Sequence, residues 1–284
     1  MTTTKLSDAE LRAEILRLGP WHHDFELAPG IRTGARVPSG TYPSGLGTPT
    51  VIKTDGWSKL LDAVYPDGLA GRSMLDCACN AGGFLFTAAG MGAGRSFGFD
   101  VREHWIEQAR FLARHLPSDH IQFAVRDLLS FPELGLEPFD ITLFSGILYH
   151  LPDPVAGLRI AADHTRELLI VNTDAMPAKM DGLVLSLEST TEVMSGVHHL
   201  AWLPTSPRVL REMLAWCGFP HTRVVFNRAM PYKRNRIGIM GARDERTFAH
   251  YDTLADSEGR PRAGWKARLR HLLSRVPPAR FNRR

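Results

Sequence analysis

Ser73-Met74-Leu75-Asp76-Cys77-Ala78-Cys79-Asn80-Ala81-Gly82-Gly83-Phe84 decides how the rest of the chain reads. A short apolar run ends in a carboxylate, passes through small residues and enters Phe84-Leu85-Phe86-Thr87-Ala88-Ala89, which has helical character. Strand, tight turn and helix in that order predict an open, doubly wound α/β sheet that holds a nucleotide-like ligand at the carboxyl ends of its strands. Small residues suit such a turn because the backbone must approach the ligand closely. Twenty-four residues after Asp76, Ser96-Phe97-Gly98-Phe99-Asp100 reads as a second strand ending in an acid, placed to accept hydrogen bonds from both hydroxyls of a ribose. No G-x-G-x-x-G is present, so a nicotinamide-binding reading fits less well.

Further strands follow. Ile121 to Val125 is a third, running into Arg126-Asp127-Leu128, and Phe139 to Gly146 is a fourth that ends in small residues. Directly after it stands Ile147-Leu148-Tyr149-His150-Leu151-Pro152-Asp153-Pro154, and Glu167 to Thr173 makes a fifth strand. Val101 to His115 reads as a helix with Trp105, Ala109 and Leu112 on one side. An insert from Asp174 to Val197, carrying Glu188, Glu192 and three methionines, ends at His198-His199 and is expected to fold over the crevice. A helix opening at Pro204-Thr205-Ser206-Pro207 then leads to a terminal strand pair, Arg223 to Phe226 and Arg236 to Met240.

The turn, the acid after the second strand and the Leu148-Tyr149-His150 segment resemble the class I S-adenosylmethionine (SAM) methyltransferases over roughly residues 50 to 240. The branch they are most similar to is that of the tRNA wobble-uridine carboxymethyl-transferring enzymes. That family's turn usually reads Asp-x-Gly-x-Gly-x-Gly; here Ala78 and Asn80 take the first two glycine positions and Gly82 the third. Ala is still small, and Asn tolerates left-handed backbone. The resemblance implies a Rossmann-like, mostly parallel seven-stranded sheet with a reversed last strand, and SAM as cofactor with S-adenosylhomocysteine as product. It implies cofactor contacts at Asp76, Ala78, Asn80 and Gly82 in the turn, and at Asp100 and Val101 beside the ribose. Asp127 would accept from the adenine amine while the Leu128 amide reaches a ring nitrogen, and Ser145 would lie beneath the methyl group. Lys53 and Trp57 are the counterparts of residues that cover the methionine end. A helix cap is the other reading of Asp127. His150, at the catalytic end of the sheet, either takes a proton from an attacking hydroxyl or fixes its loop, and both readings stay open. His199 is a second candidate base.

The chain has 284 residues, 44% hydrophobic and 23% charged, enough for one full core with extensions. Its expected division is an N-terminal helix and arm at 1–50, a methyltransferase domain at 51–245 with the insert at 174–203, and a basic extension at 246–284. Ser7-Asp8-Ala9-Glu10 is a capping box for a helix to about Leu18, with Leu11, Ile15 and Leu18 on one face. Next come Trp21-His22-His23-Asp24 and a Gly/Pro/Thr-rich stretch from Ala28 to Thr50, expected to be a lid or substrate arm. Adjacent His22, His23 and Asp24 diverge and make poor metal ligands. Cys77 and Cys79 read as small packing residues, and three cysteines make no disulfide framework.

Nothing approaches the ~18 consecutive apolar residues of a membrane span, and the first residues lack a signal peptide's apolar core, so the expectation is a cytoplasmic protein. The net charge of +4 is uneven: Arg260 to Arg284 holds nine basic and no acidic residues, which leaves residues 1–259 at −5. An acidic body argues against a face built for nucleic acid, since phosphate neutralisation dominates such binding. The tail's one amphipathic piece, about Trp265 to Ser274, is expected to pack on the domain, with weak association to an acidic surface as the alternative. The expected function is therefore SAM-dependent O-methylation of a sugar or other polyhydroxylated metabolite, by positioning plus one base. Mg²⁺ is neither indicated nor excluded. Wobble-uridine (carboxy)methyl transfer to tRNA stands second, and a non-catalytic SAM-binding regulator third.

Overall fold

In the computed structural model, residues 6–34, 54–189 and 194–257 are described. Ser7 opens helix α1 (Asp8–Leu18) with both halves of the capping box in place: the Ser7 N–H donates to Glu10 at 2.8 Å, and the Ser7 hydroxyl accepts from the Glu10 N–H. Leu11, Ile15 and Leu18 are buried, and the Trp21 indole N–H donates to the Ile15 carbonyl at 2.8 Å, which draws the following chain inward. The stretch expected to be irregular from Ala28 begins as a small hairpin, β1 (Glu26–Ala28) and β2 (Ile31–Arg32), closed by Arg32 on Asp24 and Glu26. The rest of the expected arm, with Lys53, lies outside the described residues, as do Glu192 and the whole basic tail with its helical piece.

Helix α2 (Asp55–Val64) leads to strand β3 (Met74–Cys77), helix α3 (Gly83–Gly90), strand β4 (Ser96–Asp100), helix α4 (Glu103–Ala113) and strand β5 (Ile121–Val125). Strand β6 (Phe139–Ser145), helix α5 (Pro154–Asp163) and strand β7 (Thr165–Ala175) follow. The insert folds as an antiparallel ribbon of β8 (Leu183–Leu187) and β9 (Leu200–Pro204). Helix α6 (Pro207–Trp216), strands β10 (His221–Met230) and β11 (Arg234–Ala242) and helix α7 (Ala249–Ser257) complete the described chain.

The main sheet has the order β10-β11-β7-β6-β3-β4-β5. Strands β3 to β7 pair in parallel, and β11 runs antiparallel between β7 and β10. The order therefore reverses between β3 and β6, the switch point at which open sheets leave a crevice. Both faces are covered, which is why Met74-Leu75 and Leu168 to Val171 are apolar without alternation. Met74, Leu168 and Ile170 face a core shared with α1 to α4, Phe248 and Tyr251; Leu75, Leu169 and Val171 face one shared with α5 and α6. The terminal strands run several residues past their expected ends, because Arg228, Arg234 and Arg236, which mask the alternation, share one face of a long hairpin.

Ala201 and Leu203 of β9 pack on Tyr149 and Met176, so the ribbon sits at the carboxyl ends of β6 and β7, where the insert was expected. Cys77, Cys79 and Cys217 are buried free thiols, each pushed up chiefly by burial. No helix among the described residues is long and apolar enough to cross a membrane.

Candidate active site

Ala78, Asn80 and Gly82 all sit in left-handed backbone, at φ 59°, 53° and 76°. These are the three glycine positions of the family's turn, so the geometry is kept where the residue type is not. Left-handed backbone costs Ala about 1–2 kcal/mol, a strain the surrounding structure holds in place. Asp100 supplies part of that hold: its Oδ2 accepts from the Asn80 N–H at 3.1 Å and its Oδ1 from the Arg102 N–H at 3.0 Å. Burial raises the Asp100 carboxyl, and those two amides work the other way.

Asp76 differs. Its Oδ2 is buried with no partner among the described residues, and its carboxyl is pushed well up by burial first and by Asp100 second. The buried Trp57 indole N–H likewise has no partner there, and its ring stands edge-on to Phe84, 5.4 Å away. A buried acceptor and a buried donor left open, at positions the resemblance gives to the cofactor, fit a ligand with a cationic group and polar edges.

His23 also reaches this turn. It is buried, its Nδ1 accepts from the Gly83 N–H at 3.3 Å, and burial, with His22 second, holds it well below the ordinary histidine range. It therefore fills the first turn of α3 as a neutral acceptor. Asp24 is engaged by Arg32 and by the Gly34 N–H. Among the described residues no group of three or more His, Cys, Asp or Glu is suited to a metal.

Along the same edge, Val101 is 40% exposed just past Asp100. Asp127 caps the short 3₁₀ turn Leu128–Leu134 by accepting from the Leu129 N–H at 2.8 Å, so the cap reading of this residue describes its geometry. Ser145 ends β6, and its hydroxyl accepts from the Asn172 amide at 3.1 Å. The fold thus brings Asp76, Ala78, Asn80, Gly82, Asp100, Val101, Asp127, Leu128 and Ser145 to the carboxyl ends of four adjacent strands.

His150 is placed by a 3₁₀ turn, Leu148–His150, directly after β6. Its Nδ1 lies 2.7 Å from Glu188 Oε2, and that carboxylate, 1% exposed, also accepts from the Gly196 N–H at 2.9 Å. The Arg102 guanidinium donates to the Ser195 carbonyl, tying the insert to the end of β4. His199 does not share this arrangement: its ring is exposed, and its carbonyl accepts from the Glu188 N–H at 3.0 Å. Beside His150, the mostly buried Arg236 donates from Nε to Asn172 Oδ1 and from Nη1 to Asp174 Oδ1, both at 2.9 Å, and meets the Tyr149 hydroxyl. Burial opposes its charge, but Asp174 and Tyr149 outweigh it and raise its pKa. Sequence reasoning assigned no role to Glu188, Tyr149, Asn172, Asp174 or Arg236. Their common signal, polar residues within or beside apolar strands, shows only once the strands are paired.

The family model described as "Methyltransferase domain" matches residues 69–213. A tRNA U34 carboxymethyltransferase from Azotobacter vinelandii is 31% identical over 230 residues, covering 76% of this chain and 61% of its own. One from Saccharophagus degradans is 30% identical, over 60% of this chain and 50% of its own. The chain thus spans between half and about three fifths of the length of these relatives. The N-terminal domain of EvdMO1, crystallised with SAH bound, superposes with a TM-score of 0.67 at 19% identity, over 84% of this chain and 97% of that one, and shows the same fold.

These relatives overturn two expectations. Six curated relatives among those that match carry the tRNA U34 carboxymethyltransferase name, against sugar O-methylation and against the expectation of a partner other than nucleic acid. That expectation rested on the −5 of residues 1–259. A net charge is a sum over the whole surface and does not describe one face: Arg228, Lys233, Arg234 and Arg236 lie together on one hairpin beside the site.

Proposed function

The chain belongs to the methyltransferase-domain family, and from that premise we propose that it transfers a carboxymethyl group from a SAM-type sulfonium to uridine 34 of tRNA. Arg236 carries this reading. A transferred carboxymethyl group differs from methyl by one carboxylate, and a mostly buried guanidinium next to the catalytic edge is the partner that carboxylate needs. An ideal Cβ at Gly146 would lie 3.7 Å from Arg236 Nη2, so this nitrogen faces the end of β6 while Asp174 and Asn172 anchor the other two. The relatives' names agree with that chemistry.

When bound, the cofactor supplies an electrophilic carbon on a sulfonium and leaves as a thioether. Asp76 and Asp100 are assigned to its cationic and ribose ends, Asp127 and Leu128 to the base, and Trp57 to the methionine end, in the catalytic domain 51–245. Glu188 holds His150 through Nδ1 and leaves Nε2 to take the proton of the attacking atom. The ribbon of β8 and β9 closes the site against water. In this reading the protein acts in the cytoplasm.

The test is to incubate the protein with tRNA lacking modification at position 34, supplying either SAM or its analogue with carboxymethyl in place of methyl, and to analyse the nucleosides by mass spectrometry. One carboxymethyl group on uridine 34 is expected from the second donor. Methyl transfer alone, or no product on tRNA from either donor, would overturn the reading.

A further inference from the structure

The β10–β11 hairpin turns one face toward the site. Arg228 pairs across the strands with Arg236, and Met230 with Arg234, so all four side chains share that face. It is the face of Asp174 and Asn172, because Arg236 pairs with Asp174 on β7 and bonds to both side chains. A row of guanidiniums therefore runs from Arg236, beside Tyr149 and His150, out to the sheet edge. Like charges directly opposite one another weaken a strand pair. Arg228 registers this: burial first and the charge of Arg236 second lower its pKa, against Asp174. Its guanidinium lies over the Phe226 ring at 5.4 Å.

At the tip, Tyr232 and Lys233 are exposed, Tyr232 by 63%, and both take left-handed backbone at φ 62° and 58°. Neither residue type favours that conformation, which presents an aromatic ring and a cation outward side by side. Cations in a row that ends in an exposed aromatic match a single nucleic-acid strand, whose phosphates are neutralised while its bases stack.

Resting on the tRNA reading, we infer that this hairpin is the docking surface for the RNA strand flanking the target uridine, with Arg228, Lys233 and Arg234 on phosphates and Tyr232 stacked on an unpaired base. The row then delivers the strand to His150 at its inner end.

Binding of an unmodified tRNA transcript and of its anticodon stem-loop, followed by fluorescence anisotropy across a salt series, tests this. Lys233→Glu and Arg234→Gln should each weaken tRNA at least fivefold. Each should also flatten the dependence of log K on log salt by about 0.7 for every phosphate that is no longer neutralised. Tyr232→Ala should weaken the stem-loop about fivefold or more, in line with the removal of one stacked base, and leave a duplex RNA of equal charge unchanged. SAH affinity by calorimetry should stay within twofold of wild type in all three, which separates a docking defect from a folding defect. If wild type binds and modifies tRNA while Lys233→Glu and Tyr232→Ala bind it unchanged with the same salt slope, the docking surface is wrong and the tRNA reading stands. If wild type neither binds nor modifies tRNA, both fall. Polyglutamate competing as well as the stem-loop would also overturn the inference, since the hairpin would then be no more than a cationic surface.

Discussion

His150 Nδ1 stands 2.7 Å from Glu188 Oε2, and Glu188 in turn is held by the Gly196 N–H, so the residue after β6 and the insert form one unit. A carboxylate on one imidazole nitrogen fixes the ring and directs the other nitrogen to the acceptor. His150→Ala should lower kcat by roughly 10²–10⁴-fold with SAH affinity near wild type. Glu188→Gln should lower it about tenfold, and the double variant should be no slower than His150→Ala alone, because residues acting as a unit are not additive. Additive losses in single-turnover rates would mean that Glu188 only holds the insert.

Arg236 separates the two transferable groups. Charge-assisted bonds to a carboxylate are worth about 1.5–3 kcal/mol each, and the fork geometry is specific to Arg. Arg236→Lys should therefore cut carboxymethyl transfer to tRNA about a hundredfold and methyl transfer from SAM by far less. Equal losses with both donors, measured as kcat/KM, would show that Arg236 holds only Asp174 and Tyr149.

What the sequence disclosed was local. The turn from Asp76 to Gly82, its left-handed positions included, is written in seven consecutive residues, and Asp100 lies one βα unit away. The capping box of α1 and the burial of Leu11, Ile15 and Leu18 are equally local. Glu188 was visible as a residue but not as a partner, because its bond to His150 crosses 38 positions and depends on how β8 pairs with β9. Arg236 and Asn172 are 64 apart, on strands whose antiparallel pairing no periodicity reveals. The charge argument failed for the same reason, since summing charges discards their places in the fold.

His23 gives the protein an acid-sensitive joint. Burial, with His22 second, holds its folded pKa well below the unfolded value of about 6.5, so its contribution to stability is complete above that value. That contribution is lost as pH falls toward the folded value, when the ring must gain a proton and can no longer accept from Gly83. Hydrogen exchange should show residues 21–34 and the first turn of α3 loosening as pH drops from about 6.5. His23→Leu should flatten this dependence while costing about 1–3 kcal/mol for the unsatisfied Gly83 N–H. A variant with the wild-type pH slope would assign the effect to another group.

Asp76 and Asp100 invert the roles that position alone suggests. Asp100 looks like the free ribose acceptor, yet it braces the turn through the Asn80 N–H, so Asp100→Ala disturbs backbone and ligand together. Asp76, whose buried Oδ2 has no partner among the described residues, is the cleaner probe. Its folded pKa is raised by burial and by Asp100, so the stability it contributes is fully present below its unfolded pKa and lost as pH rises through the folded value. A cationic cofactor group beside it reverses that penalty. SAH should therefore bind more tightly as pH rises through the Asp76 pKa, with proton release visible as buffer-dependent enthalpy in calorimetry. Asp76→Asn should raise the melting temperature of the cofactor-free protein at neutral pH, because an amide neither carries a buried charge nor takes up a proton on folding. The same substitution should weaken SAH at least tenfold, consistent with loss of one charge-assisted bond of about 1.5–3 kcal/mol, and abolish the proton release. A more stable variant that binds SAH within twofold of wild type would remove Asp76 from the cofactor site and leave its carboxylate a strain on the turn alone.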